Sequence, residues 1–110
     1  MNWKYICHQD ELENEIGTAA LVNGQQIALF RIDEAEHIKI FALSNWDPFG
    51  KANVLSRGIV GDLNGQPVIA SPLYKQHFNL ENGHCLEDEN CILPTWQTKI
   101  ENGDIFVAVN

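Results

Sequence analysis

Cysteine is scarce in this sequence: only Cys7, Cys85 and Cys91 occur among its 110 residues, and no two of them form a Cys-x-x-Cys pair. So small and odd a set does not provide the disulfide framework of a small secreted domain, and we expect reduced thiols. No apolar run approaches the ~18 to 20 residues that a bilayer span needs, and residues 1–5 lack the apolar core of a signal peptide. We therefore expect a cytoplasmic protein.

Basic residues are also few, since 7 Lys and Arg stand against 15 Asp and Glu and give a net charge of −8. Most of such a surface repels a phosphate backbone or an anionic membrane, so we expect neither nucleic acid nor membrane as a partner. The sequence contains no Gly-x-Gly-x-x-Gly and no Gly-rich phosphate loop between a strand and a helix. We expect that this chain by itself binds neither NADH nor FAD.

Length and patterning predict one all-β domain over residues 1–110. An apolar fraction of 45% is ordinary for a folded soluble chain. No segment shows sustained helical periodicity, and short β-branched or aromatic runs alternate with turn residues. We therefore predict a mainly antiparallel β architecture with little helix.

Four Asn-Gly pairs predict turns, because this dipeptide supplies the positive φ angles of a type I′ turn. The pairs are Asn23-Gly24, Asn64-Gly65, Asn82-Gly83 and Asn102-Gly103. The predicted hairpins join 18–22 to 25–32, 58–63 to 66–71, and 95–101 to 104–109.

Further strands are predicted for 3–6 and for 37–45, where Ile38, Ile40 and Ala42 alternate with Lys39, Phe41 and Leu43. We expect a turn or short helix over 8–15 and a polar link over 33–36. Pro67 cannot donate a ladder hydrogen bond, so we expect it at a strand start or a sheet edge.

Two proline-marked loops, Asp47-Pro48-Phe49-Gly50 and Ser71-Pro72-Leu73-Tyr74, flank the predicted hairpin over 64–65. This frame resembles that of Rieske iron–sulfur proteins, whose loops read Cys-Pro-His-Gly and Cys-Pro-Leu-His. The order of short strings resembles that family from about Thr18 to Val109, although the interval between the loops is several residues longer. The resemblance implies a Rieske-like antiparallel β sandwich or barrel with a small loop subdomain at the cluster site.

In this resemblance all four cluster ligands are replaced. Asp47 and Phe49 stand at the positions of the first Cys and His, and Ser71 and Tyr74 stand at those of the second pair. A Rieske cluster needs two thiolates and two imidazoles, and neither phenylalanine nor tyrosine supplies a nitrogen donor. We therefore expect no metal, no cofactor-binding residue and no catalytic residue in this chain.

The loss of all four ligands resembles one branch of the family, the small subunits of assimilatory NAD(P)H-dependent nitrite reductases, whose bacterial members lack the cluster. That resemblance implies a non-catalytic subunit of a cytoplasmic complex that reduces nitrite to ammonium in nitrate assimilation. It also implies a large partner subunit that carries FAD, an iron–sulfur cluster and sirohaem. Two alternatives stay open: a stand-alone cluster-free binding module, and an electron carrier, which would contain iron and acid-labile sulfide.

The former ligand positions allow two interpretations, which can hold for different residues. In the first, Phe49 and Tyr74 fill the space of a cluster while Asp47 and Ser71 hydrogen-bond the loop backbone. The second is a partner-docking tip, because aromatic side chains are enriched at the anchoring centres of interfaces. Its candidates are Trp46, Phe49, Tyr74 and His77.

Other clusters of reactive residues favour no site. A metal site would need His77, His84, Cys85 and Cys91, whose spacings match no common zinc pattern. Cys7 and His8 are adjacent on a predicted strand and would point to opposite faces, which disfavours a nucleophile and its base. The acidic segments 10–15 and 87–89 are most simply solvated, or they steer the chain onto a basic patch of a partner.

Overall fold

The computed structural model describes residues 2–73 and 75–109, and within these ranges the chain forms twelve short strands and two 3-10 turns. All pairs of neighbouring strands are antiparallel, so the all-β prediction is confirmed. The strands are β1 Asn2–His8, β2 Gly17–Val22, β3 Gln25–Glu34, β4 His37–Ser44, β5 Trp46–Asp47, β6 Ala52–Asn53, β7 Ile59–Leu63, β8 Gln66–Ala70, β9 His77–Asn79, β10 Thr95–Trp96, β11 Thr98–Glu101 and β12 Asp104–Val109. The 3-10 turns are Gln9–Glu11 and Leu55–Arg57.

These strands form four sheets. Their strand orders are β1-β12-β11, β10-β4-β3-β2, β5-β6 and β7-β8-β9. In the described ranges each sheet has open edges, so the sheets pack against one another instead of closing into a barrel. No helix in those ranges is long and apolar enough to cross a membrane.

Strand β3 runs through the middle of the core because both of its faces are buried. Ala28 and Phe30 belong to one apolar cluster, and Ile27 and Leu29 belong to another. Successive side chains of a strand point to opposite faces, so an unbroken apolar run suits a strand that is covered on both sides. The four-stranded sheet is therefore the middle layer of the fold.

The two clusters join this middle layer to its neighbours. Ile105 and Val107 of β12 complete one cluster, and Ile69 and Phe78 of β8 and β9 complete the other. Burial of each such side chain contributes about 1.5 to 3 kcal/mol relative to exposure. The β7-β8-β9 sheet, which carries the second proline loop between β8 and β9, thus packs on the opposite face of the middle layer from β12.

The alternation predicted for 37–45 is confirmed in β4. Ile38, Ile40 and Ala42 pack into the cluster with β12, whereas Phe41 and Leu43 pack into the cluster with β8 and β9. The period of two in the sequence therefore reports two buried faces and not one buried and one solvated face.

Three of the Asn-Gly pairs form the predicted hairpin turns. Both residues have positive φ at 23–24 (50° and 81°), at 64–65 (55° and 82°) and at 102–103 (52° and 83°). The fourth pair differs, because of its two residues only Gly83 has a positive φ, 80°. There the Asn79 side chain organises the turn and accepts hydrogen bonds from the backbone N–H groups of Glu81, at 2.8 Å, and Asn82, at 3.3 Å.

Two strand boundaries differ from the prediction. Strand β3 continues through Glu34, so the expected polar link over 33–36 shortens to a turn at 35–36. The predicted strand over 95–101 divides, because β10 pairs with β4 and β11 pairs with β12. Thr98 Oγ1 donates to the Ile40 carbonyl at 2.6 Å, which fixes the crossing between the two sheets. Pro67 lies second in β8, before the pairing with β9 begins, as expected.

Candidate functional site

The first proline loop is closed by the carboxylate of Asp47. The two-residue strands β5 and β6 bracket this loop, and Asp47 Oδ1 accepts from the backbone N–H groups of Phe49 at 2.9 Å and Gly50 at 3.1 Å. Aspartate favours such turns because its short side chain reaches backbone donors two and three residues ahead. Since Asp47 is fully buried, these bonds replace the water that a buried carboxylate has lost.

The second proline loop is tied to the first by Ser71. The Ser71 hydroxyl donates to Asp47 Oδ2, across 24 residues of sequence, and both side chains are buried. The same hydroxyl oxygen accepts from Leu73 N–H at 3.3 Å, and the Ser71 carbonyl accepts from Lys75 N–H at 3.1 Å. Two of the four former ligand positions therefore bond directly to each other and organise both loops.

Phe49, the third former ligand position, packs inward. Its half-buried ring lies 6.2 Å from the ring of buried Phe78, at an interplanar angle of 41°, and contacts the cluster behind the loops. This tilted geometry is favourable for two aromatic rings. Tyr74, the fourth position, lies outside the described residues.

The two loops also touch through Gly50 and Leu73. A Cβ atom on Gly50 would overlap Leu73 Cδ1, so the leucine side chain rests on the glycine backbone. Leu73 still leaves 46% of its surface exposed, and Trp46 at the entry to the first loop leaves 44% exposed. The loop tip therefore presents an aromatic and an aliphatic side chain to solvent on a tightly bonded base.

Asn45 anchors that base, although the motif pattern did not single it out. Its side chain is buried, with Oδ1 accepting from Ser56 N–H at 2.7 Å and Nδ2 donating to Gln26 Oε1 at 3.1 Å. The Asn45 carbonyl accepts from Leu55 N–H at 3.1 Å. The sequence does contain a signal for this role. Asn45 follows Phe41 and Leu43 at the same spacing of two, so its amide continues a row of apolar residues on one face of the strand and needs hydrogen-bond partners there.

His77, a docking candidate, is held by Glu87. The backbone N–H of His77 donates to Glu87 Oε1 at 2.7 Å, and His77 Nδ1 lies 2.7 Å from Glu87 Oε2. Partial burial acts to raise the pKa of Glu87, but its hydrogen bonds with His77 outweigh that effect and hold the pKa below the usual glutamate value. Glu87 is therefore an anion at neutral pH and fixes the orientation of the imidazole.

The donor set at the loop tip does not fit a two-iron Rieske cluster. Asp47 and Ser71 are engaged with each other, and the Phe49 ring offers no donor atom. Within 2–73 and 75–109, no three His, Cys, Asp or Glu side chains form a group that could hold a metal ion.

The remaining cysteine and histidine candidates have local roles. Burial raises the pKa of the Cys85 and Cys91 thiols, which disfavours the thiolate that metals and electrophiles require. Cys85 Sγ contacts Glu87 Oε1 at 3.8 Å, while His84 is exposed. On β1, burial likewise raises the pKa of Cys7, and His8 Nδ1 accepts from Asp10 N–H at 3.2 Å, which caps a 3-10 turn.

A cavity of about 410 Å³ opens beside the second loop. Its wall combines basic, imidazole and apolar side chains. The lining residues are Arg57, Ile59, Ala70, Ser71, Pro72, Lys75 and His77. Of these, only His77 and Ser71 were singled out from the sequence, because Arg57 and Lys75 are 18 positions apart and carry no motif of their own.

Comparison with known proteins places this chain and its fold in one family. A sequence model of the Rieske-like [2Fe-2S] domain matches residues 2–108. The nitrite reductase (NADH) small subunit of Escherichia coli strain K12 is 40% identical to this chain over 101 residues, which cover 92% of each protein. The solution structure of the nitrite reductase NAD(P)H small subunit from Erwinia carotovora is 42% identical, with a TM-score of 0.82, and the match covers 98% of this chain and 82% of that one.

The nitrite reductase NAD(P)H large subunit of Klebsiella oxytoca also contains a segment similar to this chain. The identity is 39% over 106 residues, which cover 96% of this chain and 11% of that protein. The chain thus corresponds to one small part of that large subunit and to nearly all of the Escherichia coli small subunit. It belongs to the Rieske-like [2Fe-2S] domain family, in the branch of the nitrite reductase small subunits.

Proposed function

We propose that this chain is the accessory small subunit of a cytoplasmic NAD(P)H-dependent nitrite reductase, which reduces nitrite to ammonium in nitrate assimilation. The observation that carries the proposal is the 40% identity with the Escherichia coli small subunit over nearly the whole of both proteins. The partner is then the large subunit, and FAD, an iron–sulfur cluster and sirohaem reside there.

The Klebsiella oxytoca protein supports direct contact with a large subunit. In that protein a segment similar to this chain belongs to the same polypeptide as the rest of a large subunit. Linkage within one polypeptide holds two modules at a high effective concentration, which suits modules that work in contact. A separate chain of the same family must replace that linkage with a binding surface.

The loop tip is our candidate for that surface. Trp46 at the entry to the first loop and Leu73 in the second loop each leave close to half of their surface exposed. Aromatic side chains anchored on a rigid base bind partners at a small entropic cost, and the Asp47–Ser71 hydrogen bond supplies that rigidity. Phe49 supports the tip from within, His77 lines the cavity beside it, and Tyr74 stays a candidate from the sequence.

In this role the chain binds and orients the large subunit and takes no electron itself. The donor set at the former ligand positions fits no cluster, so the proposal assigns redox chemistry to the partner. An electron-carrier role would require iron and acid-labile sulfide in the purified chain.

Co-purification tests the proposal. The tagged chain is recovered from cells grown on nitrate or nitrite, and the eluate is examined for flavin and sirohaem absorption bands and for iron before and after the chains are separated. We expect a large partner with both cofactors and an iron-free small chain. Recovery of the chain without a flavin- or sirohaem-containing partner would contradict the subunit role and favour a stand-alone binding module.

A further inference from the structure

Basic side chains are concentrated at the loop tip of this acidic protein. Residues 45–77 contain three of the seven Lys and Arg, at positions 51, 57 and 75, but only two of the fifteen Asp and Glu. Of the two acids, Asp47 is buried in the loop staple, and Asp62 Oδ1 accepts from Gly65 N–H at 2.8 Å in a hairpin turn. Among the exposed charged side chains of this stretch, three are therefore basic and one, Asp62, is acidic.

The basic side chains elsewhere are mostly neutralised by neighbours. Three of the four form ion pairs, Arg31 with Asp33, Lys39 with Glu34, and Lys99 with Glu101, while Lys4 Nζ donates to the neutral Asn23 Oδ1 at 3.3 Å. Among the residues the structure describes, no carboxylate lies within 4.0 Å of the side-chain nitrogens of Lys51, Arg57 or Lys75. The tip cations therefore keep their full capacity to bind an anion.

Arg57 and Lys75 face a shared cavity whose remaining wall is partly apolar. Arg57 ends the 3-10 turn after the first loop, Lys75 ends the second loop, and both line the cavity of about 410 Å³. Ile59, which is 76% exposed, and Pro72 add apolar wall. The cavity therefore offers two cations for an anionic group and an apolar wall for the groups beside that anion.

We propose that this cavity binds an acidic side chain of the nitrite reductase large subunit, carried on a segment with apolar neighbours. The inference rests on the proposed function and adds the chemistry of the contact. A carboxylate matches the planar fork of the Arg57 guanidinium, and Lys75 supplies a second charge. The apolar neighbours of that carboxylate pack on Ile59 and Pro72 in the cavity wall.

Charge complementarity also orients the two subunits. An acidic partner surface is repelled by most of this chain and attracted by the cations of the tip, so the encounter favours arrangements that place the tip against the partner. Lys51 lies in the first loop and strengthens the field of the tip without lining the cavity. The occupant is thus a carboxylate of a protein partner.

Charge reversal tests this assignment. Arg57→Glu combined with Lys75→Glu changes two exposed side chains, and Lys4→Glu combined with Lys39→Glu, two exposed lysines that do not line the cavity, is a control with the same change in net charge. Binding of the purified large subunit to each variant and to wild type is measured by interferometry at low and at high salt. We expect the cavity variant to bind about 10- to 100-fold more weakly and with less dependence on salt. The control should lose much less affinity, and circular dichroism should show that both variants are folded.

The outcomes separate this inference from the proposed function. If wild type does not bind the large subunit, the proposed function fails. If wild type binds and the cavity variant binds as tightly, the subunit role stands and the cavity assignment is wrong. An equal loss in the control would attribute binding to general charge and would also overturn the assignment. A wild-type dimer that only the cavity variant disrupts would assign the cavity to a second copy of the chain.

Discussion

The Ser71 hydroxyl donates a hydrogen bond to the Asp47 carboxylate, so two positions that hold cysteine ligands in the Rieske pattern are bonded to each other in this chain. A cluster would join the two loops through metal. Here a buried carboxylate joins them through three hydrogen bonds, from Phe49 N–H, Gly50 N–H and Ser71 Oγ. The two loops are therefore joined by hydrogen bonds and not by covalent or metal bonds, and both oxygens of the buried carboxylate have donors.

Asp47→Ala and Ser71→Ala should both destabilise the fold. Each leaves buried polar groups without a partner, and we expect losses of roughly 2 to 3 kcal/mol for Asp47→Ala and about 1 to 2 kcal/mol for Ser71→Ala. Because the side chains share one hydrogen bond, the double variant should lose less than the sum of the singles by about 1 kcal/mol. Urea unfolding of the four proteins measures this coupling.

The matched control pairs Ser71→Ala with Asp62→Ala. Asp62 also bonds the backbone of its own turn, but it is exposed and makes no contact with Ser71. Those two changes should be additive within about 0.5 kcal/mol. Additivity of the Asp47 and Ser71 changes as well would mean that the shared hydrogen bond contributes nothing.

Phe49→Ala should lower the free energy of unfolding by about 1 to 3 kcal/mol, less than a fully buried ring, because the side chain is half-buried. The loss arises from the vacated contact with Phe78. Phe49→Leu keeps much of the apolar volume and should recover a large part of the stability. Thermal unfolding followed by circular dichroism compares the three proteins, and an alanine variant as stable as wild type would remove Phe49 from the support of the loop.

Trp46→Ala should weaken binding to the large subunit about tenfold and change stability by less than about 1 kcal/mol, since an exposed aromatic anchor contributes mainly to an interface. Tyr5→Ala is the control, because Tyr5 is 53% exposed and lies on β1, in the sheet at the other side of the fold. Interferometry with the large subunit measures both. Equal affinity of Trp46→Ala and wild type would exclude Trp46 from the interface.

Glu87→Gln should destabilise the protein near neutral pH but not in acid. Burial acts to raise the pKa of Glu87 in the folded state. Hydrogen bonds with His77 outweigh that effect and hold the pKa below its ordinary value of 4.5. A lowered pKa means that the stabilisation is present above that ordinary value and disappears as the pH falls through the folded-state pKa. The difference between wild type and Glu87→Gln in urea unfolding should therefore be present at pH 7 and vanish in acid.

A difference that did not change with pH would show that the carboxylate charge has no part in holding His77. The exposed half of Glu87 admits solvent, so the effect should be small and should decrease with added salt. Asp62→Asn, a change of an exposed carboxylate that hydrogen-bonds Gly65 N–H in its own hairpin turn, provides the baseline.

Much of the fold could be predicted because its determinants are local. Asn23-Gly24, Asn64-Gly65 and Asn102-Gly103 form the expected turns since asparagine and glycine accept positive φ angles wherever they occur. The alternation in β4 could also be predicted, because the period of two follows from the local geometry of a strand. The division of 95–101 into β10 and β11 could not be predicted. It depends on the hydrogen bond from the Thr98 hydroxyl to the Ile40 carbonyl, which lies 58 residues earlier in the chain.

The sequence by itself determined the hairpins, the two proline loops and the absence of cysteine and histidine at the former ligand positions, since these follow from residue type and local backbone preference. Only the tertiary structure decided that Asp47 bonds to Ser71, that Phe49 turns inward onto Phe78, and that Arg57 and Lys75 line one cavity beside the second loop. Those contacts join residues far apart in the chain. They depend on how the packed sheets bring the loops together, and no local pattern encodes that distance.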